Sequence, residues 1–482
     1  MRDTGGGLWA GERRGLTIGL VLTVTLIAAE ALAVSTAMPI VSRELGRLEL
    51  YGWVFSAFFL GSLIGIAIVG GIIDERGVVM PFAVGLALFG IGLIVGGLAP
   101  SMEILVAARF VQGLGGGALP PVAYVAIGRT LPERLRPAMF ATLSTAWVLP
   151  GVLGPAVAGI VAETVGWRWI FLGLLPLIAV SGSVALRALR VMVANDASTG
   201  APAPTDRGAA ESRRRRWAPT VVLGLGAAIL MTGLTEGSLV PLVALVGIGL
   251  GLTIPALTRL TPPGTLRAAR GIPTAVLLRG VATFAFFTVN AYVALMLVEI
   301  RGWSAAAAGI ALTGATVSWT LGSWTQARLA RRFRAEWFVH RGFPVIAVGA
   351  AALMTALIPE VPAWIAIPAF SVAGYGMGLT YAQFALIILR DVPVAGQGAA
   401  TAGLSLIDAL GATLGTGIAG AMIAATVRGG SGPGPGLALA FAMGSLVALL
   451  GFVLSWRLHG GRAGRTEQAS AAAPPFAATD SR

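Results

Sequence analysis

Long apolar segments separated by short polar connections cover most of the 482-residue chain. Each segment has about 20 residues, which is enough for a helix to cross the hydrocarbon core of a bilayer. The segments are too long, and alternate too little between polar and apolar positions, to be strands of a membrane barrel. Because backbone groups in lipid must be hydrogen-bonded internally, the pattern predicts an all-α polytopic membrane protein.

Fourteen apolar segments are long enough to be transmembrane helices. They occupy approximately residues 16–40, 51–73, 79–99, 103–127, 138–161, 168–189, 218–236, 238–258, 273–299, 303–325, 343–359, 362–389, 399–426 and 436–457. We number these predicted spans 1 to 14 in chain order.

Arginine is distributed unequally between the two sets of connections. With a cytoplasmic N-terminus, the inner connections contain Arg129, Arg134, Arg136, Arg213–Arg216, Arg259, Arg267, Arg270, Arg328, Arg331, Arg332, Arg334 and Arg341. The outer connections contain Arg43, Arg47, Arg168, Arg301 and Arg428. Since cytoplasmic loops carry the excess of basic residues, we predict that both termini are cytoplasmic and that the chain is a multi-pass protein of the cell membrane.

The composition excludes several functions. Only 11% of the residues are charged and 56% are hydrophobic, whereas soluble domains contain about 25% charged residues. The net charge of +13 follows from the basic inner connections, so we expect the lipid bilayer and no nucleic acid as a partner. With no cysteine and two histidines, we expect no disulfide, no metal site and no cofactor. The nucleotide-binding motif G-x-x-x-x-G-K-[ST] is missing, which argues against ATP-driven pumping.

Two stretches of the chain resemble each other at a constant offset. FVQGLGGGALPPVAYVAIGR (110–129) aligns with SVAGYGMGLTYAQFALIILR (371–390), with three glycines and the final arginine in register. The same offset relates glycines of span 5 to glycines of span 13, including Gly159 and Gly420. Two parallel halves around a central path are typical of transporters that work by alternating access.

The repeat predicts two six-helix bundles with a two-helix hairpin inserted between them. The predicted parts are a cytoplasmic N-terminus (1–15), an N-terminal bundle (16–190), a flexible cytoplasmic linker (191–217), the transmembrane hairpin (218–258), a C-terminal bundle (259–458) and a disordered cytoplasmic tail (459–482). We expect a monomer.

Four short segments resemble known motifs. They are EALAVSTAMP (30–39), GGIIDERG (70–77), LVAARFVQGLGGG (105–117) and PGVLGPAVAG (150–159). In these residues the chain resembles the major facilitator superfamily, in its branch of fourteen-helix drug:proton antiporters, and the resemblance extends over about residues 16–458. It implies a major facilitator fold and transport of a small molecule rather than an enzymatic reaction.

The segment between spans 2 and 3 is similar to the family loop G-x-L-x-D-R-x-G-R-K. Gly70, Asp74 and Gly77 are in register, Arg76 precedes the second glycine, and valines replace the terminal basic pair. In the family this loop latches the cytoplasmic side, which implies a gating role for these four residues. A solvated turn is the alternative interpretation.

Span 4 matches R-x-x-Q-G-x-G in full through Arg109, Gln112, Gly113 and Gly115. In the family the arginine is implicated in proton coupling. A buried arginine is costly and normally faces a cavity or a partner. Snorkelling of Arg109 towards the outer surface is the alternative.

Span 5 is similar to the antiporter motif G-x-x-x-G-P-x-x-G-G through Gly154, Pro155 and Gly159. The proline favours a kink, and the small residues allow a neighbouring helix to approach closely. The family associates this motif with exporters. Close packing without a further role is the alternative.

Glu30 interrupts the apolar run of span 1. It stands nine residues before Pro39, the spacing of the acid in the family motif D-x-T-I-V-N-V-A-L-P. Desolvation opposes charge on such a carboxyl group and a nearby arginine favours it, so Glu30 could bind and release a proton. A structural ion pair or a position near the outer interface are alternatives. Signal-peptide cleavage is disfavoured because the apolar run continues to Val41.

Other polar residues also lie within predicted spans. Asp408 in span 13 is a second intramembrane acid, for which we consider a role in the transport pathway or in a structural pair. Arg279 lies early in span 9, and we expect it to snorkel to the cytoplasm. The candidates for a polar cavity, for which interhelical hydrogen bonding is an equal alternative, are Gln112, Asn290, Tyr292, Tyr381 and Gln383.

These features predict a secondary active transporter that exports small lipophilic or cationic molecules, as in multidrug efflux, driven by proton entry. Substrate and proton would compete at Glu30 in a cavity between the halves. A dedicated exporter of an endogenous metabolite or lipid is the closest alternative. An integral membrane enzyme is disfavoured because the membrane acids are dispersed, and a channel would not explain the gating and antiporter motifs.

Overall fold

The computed structural model describes residues 7–9, 11–198, 207–236, 238–392 and 394–458, which are mostly helical. The α-helices are α1 (Glu12–Leu45), α2 (Tyr51–Arg76), α3 (Val79–Gly97), α4 (Met102–Thr130), α5 (Arg136–Thr145), α6 (Val148–Val161), α7 (Arg168–Leu172), α8 (Leu175–Ser198), α9 (Arg207–Thr235), α10 (Leu239–Leu260), α11 (Ile272–Asn290), α12 (Val293–Leu295), α13 (Ala305–Leu329), α14 (Ala335–Thr355), α15 (Ala366–Asp391), α16 (Val394–Arg428) and α17 (Pro433–Ser455). Within these described residues, fourteen helical segments are long and apolar enough to cross a membrane, which confirms the number predicted from the sequence.

Predicted span 5 is interrupted near its middle. α5 ends at Thr145 and α6 begins at Val148, where the sequence predicted one helix over 138–161. Pro150 therefore lies in the first turn of α6. A proline there costs no intrahelical hydrogen bond, because the first N–H groups of a helix have no intrahelical partner.

The segment 191–217 is also different from the prediction. Its described residues are helical, since α8 continues to Ser198 and α9 begins at Arg207. Alanine and arginine are frequent in RGAAESRRRR at the start of α9, and both have high helix propensity. These residues are therefore helical where a flexible segment was expected, and the linker itself stays a prediction. Residues 199–206 and the predicted tail over 459–482 lie outside the described part of the chain.

Glycines of α4 bring its backbone against α2. A Cβ atom at Gly113 would lie 2.1 Å from the carbonyl oxygen of Phe58, and one at Gly117 would lie 2.2 Å from that of Ser62. These distances leave no space for a side chain. Small residues at every fourth position allow such close approach of membrane helices.

The same arrangement occurs between α15 and α13. A Cβ atom at Gly374 would lie 2.2 Å from the carbonyl oxygen of Ala315, and one at Gly378 would lie 2.1 Å from that of Trp319. These two glycines are the repeat partners of the glycines in α4. The pair α13–α15 therefore repeats the packing of the pair α2–α4, as expected for two homologous halves.

The hairpin of α9 and α10 lies against both halves. A Cβ atom at Gly224 on α9 would lie 2.8 Å from Ile64 Cγ1 on α2, and one at Gly417 on α16 would lie 2.1 Å from Met231 Sδ on α9. Because α2 belongs to the first half and α16 to the second, α9 covers the seam between the halves on this side.

We call the end of the helical bundle that contains residues 46–50 and 301–304 the outer end, following the predicted orientation, and the opposite end the inner end.

Candidate functional site

A buried ion pair joins α1 to α4. Arg109 donates from Nη1 to Glu30 Oε1 and, over 2.7 Å, to Gln112 Oε1. The side chains of Glu30 and Arg109 are 0% and 3% exposed. The arginine that the sequence placed in a family motif and the acid that interrupts span 1 are therefore direct partners in the interior.

Further partners of Arg109 come from its own helix, α4, and from α2. Gln112 lies three positions further along α4, on the same face of the helix. On α2, the carbonyl oxygen of Val54 accepts from Arg109 Nε over 3.3 Å, and the ring of Phe58 lies 4.3 Å from the guanidinium carbon. Outward snorkelling of Arg109 is therefore wrong, because buried partners from α1, α2 and α4 hold its head group.

Two polar atoms at this pair have no hydrogen-bond partner among the described residues, Glu30 Oε2 and Gln112 Nε2. Buried polar groups are normally satisfied. An unsatisfied carboxylate oxygen inside the bundle is a place where a proton can be accepted without moving the backbone. The full burial of Glu30 also means that substrate does not reach it in this conformation, so direct competition of substrate and proton at one carboxylate does not fit this state.

A second ion pair lies in the other half. Arg279 on α11 donates from Nε to Asp408 Oδ1 on α16 and from Nη1 to the carbonyl oxygen of Tyr381 on α15, each over 2.6 Å. Tyr381 also donates its hydroxyl to Asp408 Oδ2 over 3.0 Å. Arg279 is only 8% exposed, so the expectation that it snorkels to the cytoplasm is wrong: it turns inward because a carboxylate and a carbonyl are within its reach.

The predicted gating loop is described in part. Arg76 ends α2, and Gly77 follows with φ 70° and donates its N–H to the carbonyl oxygen of Ile73 over 3.0 Å. Positive φ favours glycine at such a helix end. Gly70 lies within α2, and the side chain of Asp74 lies outside the described part of the structure, so the latch stays a prediction.

The antiporter motif lies on α6, which packs against α13 of the other half. A Cβ atom at Gly159 would lie 2.4 Å from Ala306 Cα, and one at Gly309 would lie 2.6 Å from the carbonyl oxygen of Pro155. At Gly154 the nearest neighbour of a Cβ atom would be Leu32 Cβ, at 3.9 Å. Two of the three motif residues therefore support a close contact between the halves.

The cavity candidates have different environments. Tyr292 is 0% exposed and donates its hydroxyl to the carbonyl oxygen of Thr416 over 2.6 Å. It joins α16 to the turn after α11 and does not line a cavity in this state. Gln383 is 2% exposed, and Asn290 is half-buried. Tyr381 is part of the second ion-pair cluster.

Contacts that the sequence did not predict join the halves at the outer end. Arg43 at the end of α1 donates from Nε to Glu299 Oε1 over 2.6 Å. The N–H of Ala306, in the first turn of α13, donates to Glu163 Oε1 over 3.0 Å, where the helix dipole favours an acid. The sequence places Arg43, Glu163 and Glu299 near the ends of predicted spans. No motif identified them as contacts between the halves.

Close backbone packing also joins the halves at the outer end. A Cβ atom at Gly52 on α2 would lie 2.5 Å from the hydroxyl of Tyr292 and 2.7 Å from Gly420 Cα on α16. Nearer the inner end, Tyr124 on α4 is 54% exposed although it lies within a membrane-spanning segment. The halves are therefore in contact at the outer end.

Comparison with known proteins gives a consistent family assignment. The model of the Major Facilitator Superfamily matches residues 16–416. The chain is 26% identical over 458 residues to a Mycobacterium tuberculosis protein named "Probable multidrug-efflux transporter", with 92% of this chain and 94% of that protein covered. It is 25% identical over 415 residues to an efflux pump of Aspergillus parasiticus, with 84% and 80% covered.

A solved structure has the same fold. The crystal structure of a D-xylose-proton symporter superimposes with a TM-score of 0.65 at 15% identity, and the match covers 94% of this chain and 99% of that one. At this identity the likeness concerns the fold alone.

Proposed function

The chain belongs to the Major Facilitator Superfamily, and from this premise we propose that it is a proton-coupled exporter of small lipophilic or cationic molecules. The observation that carries the proposal is the buried pair of Glu30 and Arg109 inside the membrane-spanning bundle. A full-length relative named as a multidrug-efflux transporter supports the substrate class.

Glu30 is the proton carrier in this proposal. An ionisable pair inside a membrane is expensive and is usually retained for function. When Glu30 accepts a proton, its charge disappears and Arg109 keeps only neutral acceptors, the side chain of Gln112 and the carbonyl oxygen of Val54. Protonation therefore weakens the attraction between α1 and α4 without breaking a covalent bond.

This change is linked to the closure of the outer end through two helices. α1 carries Glu30 and, at its end, Arg43, which contacts Glu299 of the other half. α2 carries Val54, an acceptor for Arg109, and Gly52, which touches Gly420. A rearrangement around Arg109 thus involves the same two helices that hold the halves together, as alternating access requires.

Substrate occupies the space between the halves, and the proton occupies Glu30 within the first half. The two do not need to share one carboxylate, because a ligand can shift the equilibrium between two conformations from a separate site if it binds one of them more tightly. Asp408, in the second half, is the acid that we assign to substrate contact.

Flux through purified protein in proteoliposomes tests the proposal. With an acid-inside pH gradient, vesicles with the wild-type protein should accumulate ethidium, and dissipation of the gradient should release it. Glu30→Gln should lose the response to the gradient. Glu103→Gln is the matched control, because it removes a carboxylate that is 50% exposed and paired with Arg47 at the outer end, and it should accumulate ethidium normally.

The proposal is wrong if wild type and Glu30→Gln move ethidium at equal rates with and without the gradient. Loss of gradient-driven accumulation in the Glu103→Gln control would instead show that the response does not depend specifically on Glu30.

A further inference from the structure

Arg279 is held by a carboxylate and an aromatic ring at the same time. Its guanidinium carbon lies 3.2 Å from the centre of the Tyr381 ring, and its Nε donates to Asp408 Oδ1 over 2.6 Å. Trp319 on α13 packs edge-on against Tyr381, with 5.2 Å between the ring centres. We call Trp319, Tyr381 and Asp408 the cation cage.

The cage has the chemistry of a site for an organic cation. An aromatic face attracts a positive charge through its quadrupole, most strongly when water is excluded, and a carboxylate supplies the opposite charge. The hydroxyl of Tyr381 donates to Asp408 Oδ2 over 3.0 Å, which orients the carboxylate. In this conformation the protein's own guanidinium occupies the place of such a cation.

The carboxylate of the cage is partly exposed. The side chain of Asp408 is 24% exposed, whereas that of Arg279 is 10% exposed. A cationic ligand can therefore reach the carboxylate of the cage in this conformation.

The guanidinium of Arg279 has an alternative position closer to the membrane surface. It lies seven residues after the start of α11 at Ile272, which is about 10 Å along the helix axis. A long arginine side chain points towards the N-terminal end of its helix and covers part of this distance, so its head group can move towards the membrane surface. Release from the cage thus does not leave the guanidinium charge buried without a partner.

We propose that the cation cage binds the positively charged group of the substrate and that Arg279 is a tethered cation that occupies the cage when substrate is absent. This inference rests on the proposed export of cationic molecules. Exchange of one cation for another keeps Asp408 paired throughout, which avoids the cost of an unpaired buried charge. Substrates with a planar, delocalised cation fit best, because they reproduce both the stacking and the ion pair of the guanidinium.

Equilibrium binding of ethidium to the purified protein in detergent at pH 8 tests the inference. Arg279→Ala removes the internal competitor, so it should bind ethidium about tenfold more tightly than the wild type, the effect of a close charge pair. Arg279→Lys keeps a tethered cation and should bind less tightly than Arg279→Ala. Asp408→Asn should weaken binding about tenfold, and Arg279→Ala/Asp408→Asn should not regain it.

Arg328→Ala is the matched control, since it removes an arginine from the last turn of α13, and its affinity should equal that of the wild type. Size-exclusion profiles and melting temperatures establish that each variant is folded. A folded Arg279→Ala that binds ethidium no better than the wild type, or not at all, overturns the inference and makes the Arg279–Asp408 pair a structural contact. Tighter binding by Arg279→Ala without any gradient-driven flux in the wild type would support the cage and contradict the proposed function.

Discussion

Glu30 and Arg109, 79 positions apart in the chain, form an ion pair in which both side chains are almost completely shielded from solvent. Removing two charges from water costs several kcal/mol per ion, and their mutual attraction offsets this cost only while both are present. The stability of the first half therefore depends on the pair as a unit.

Removal of one member should be more harmful than removal of both. Glu30→Ala leaves the Arg109 guanidinium without its counter-ion, and we expect a loss of about 3–5 kcal/mol in the free energy of unfolding. The double variant Glu30→Ala/Arg109→Ala should lose less than Glu30→Ala alone, and therefore less than the sum of Glu30→Ala and Arg109→Ala. Denaturation of the purified variants in detergent measures this coupling, and strictly additive losses would contradict it.

The contact of Arg43 with Glu299 should favour the state that is closed at the outer end. Glu299→Gln removes a partly exposed ion pair, which is worth about 0.2–1 kcal/mol, so we expect up to about a fivefold increase in the population open at this end. The chain has no cysteine, and Ser56 is 1% exposed. Maleimide labelling of Ser56→Cys in detergent therefore measures opening, and should be faster in Glu299→Gln.

Arg168→Gln is the control for this experiment, because it breaks an ion pair with Glu44 within the first half. Labelling of Ser56→Cys should be unaffected by this change. If Arg168→Gln and Glu299→Gln accelerated the labelling of Ser56→Cys equally, the Arg43–Glu299 contact would not specifically stabilise the closed outer end.

A methyl group at Gly52 should hold the halves apart. Its Cβ atom would lie 2.5 Å from the hydroxyl of Tyr292 and 2.7 Å from Gly420 Cα, so Gly52→Ala is incompatible with the closed outer end. We expect faster labelling of Ser56→Cys and at least a severalfold slower flux. Gly90→Ala on α3 should change neither quantity, because among the described residues no atom of a neighbouring segment lies within 4 Å of the added Cβ.

The repeated glycines should be intolerant of any side chain. Gly374→Ala would place a Cβ atom 2.2 Å from the carbonyl oxygen of Ala315, and overpacking of this kind costs about 1–3 kcal/mol or more. Gly247→Ala on α10 has no atom of another described segment within 4 Å of the added Cβ. It should be neutral or slightly stabilising because alanine favours helices. Melting temperatures in detergent distinguish the two, and equal values would refute the packing argument.

The number of membrane spans could be predicted from the sequence because it depends on local properties. A helix in lipid satisfies its backbone within one segment, so about 20 consecutive apolar residues are sufficient evidence for a span. The same locality explains the error at span 5, where apolar character continues across a helix break. Pro150 was the local signal for that break, since it suits the first turn of a helix.

The partners of the charged residues could not be predicted in this way. Motif spacing identified Glu30 and Arg109 separately, but nothing local connects positions on α1 and α4. A long arginine side chain can reach either the membrane surface or an internal acceptor, and only the positions of neighbouring helices decide between them. For this reason Arg279, expected at the surface, lies against Asp408 and Tyr381.

The sequence by itself determined the helical membrane class, the number of spans, the repeated glycines and the residue types available for proton and cation chemistry, because each of these follows from hydrophobicity or spacing along one segment. Only the tertiary structure decided which charges are paired, which polar residues are buried between packed helices and where the two halves are in contact. Those outcomes depend on distances between segments far apart in the chain, where attraction between charges and close packing operate over a few ångströms.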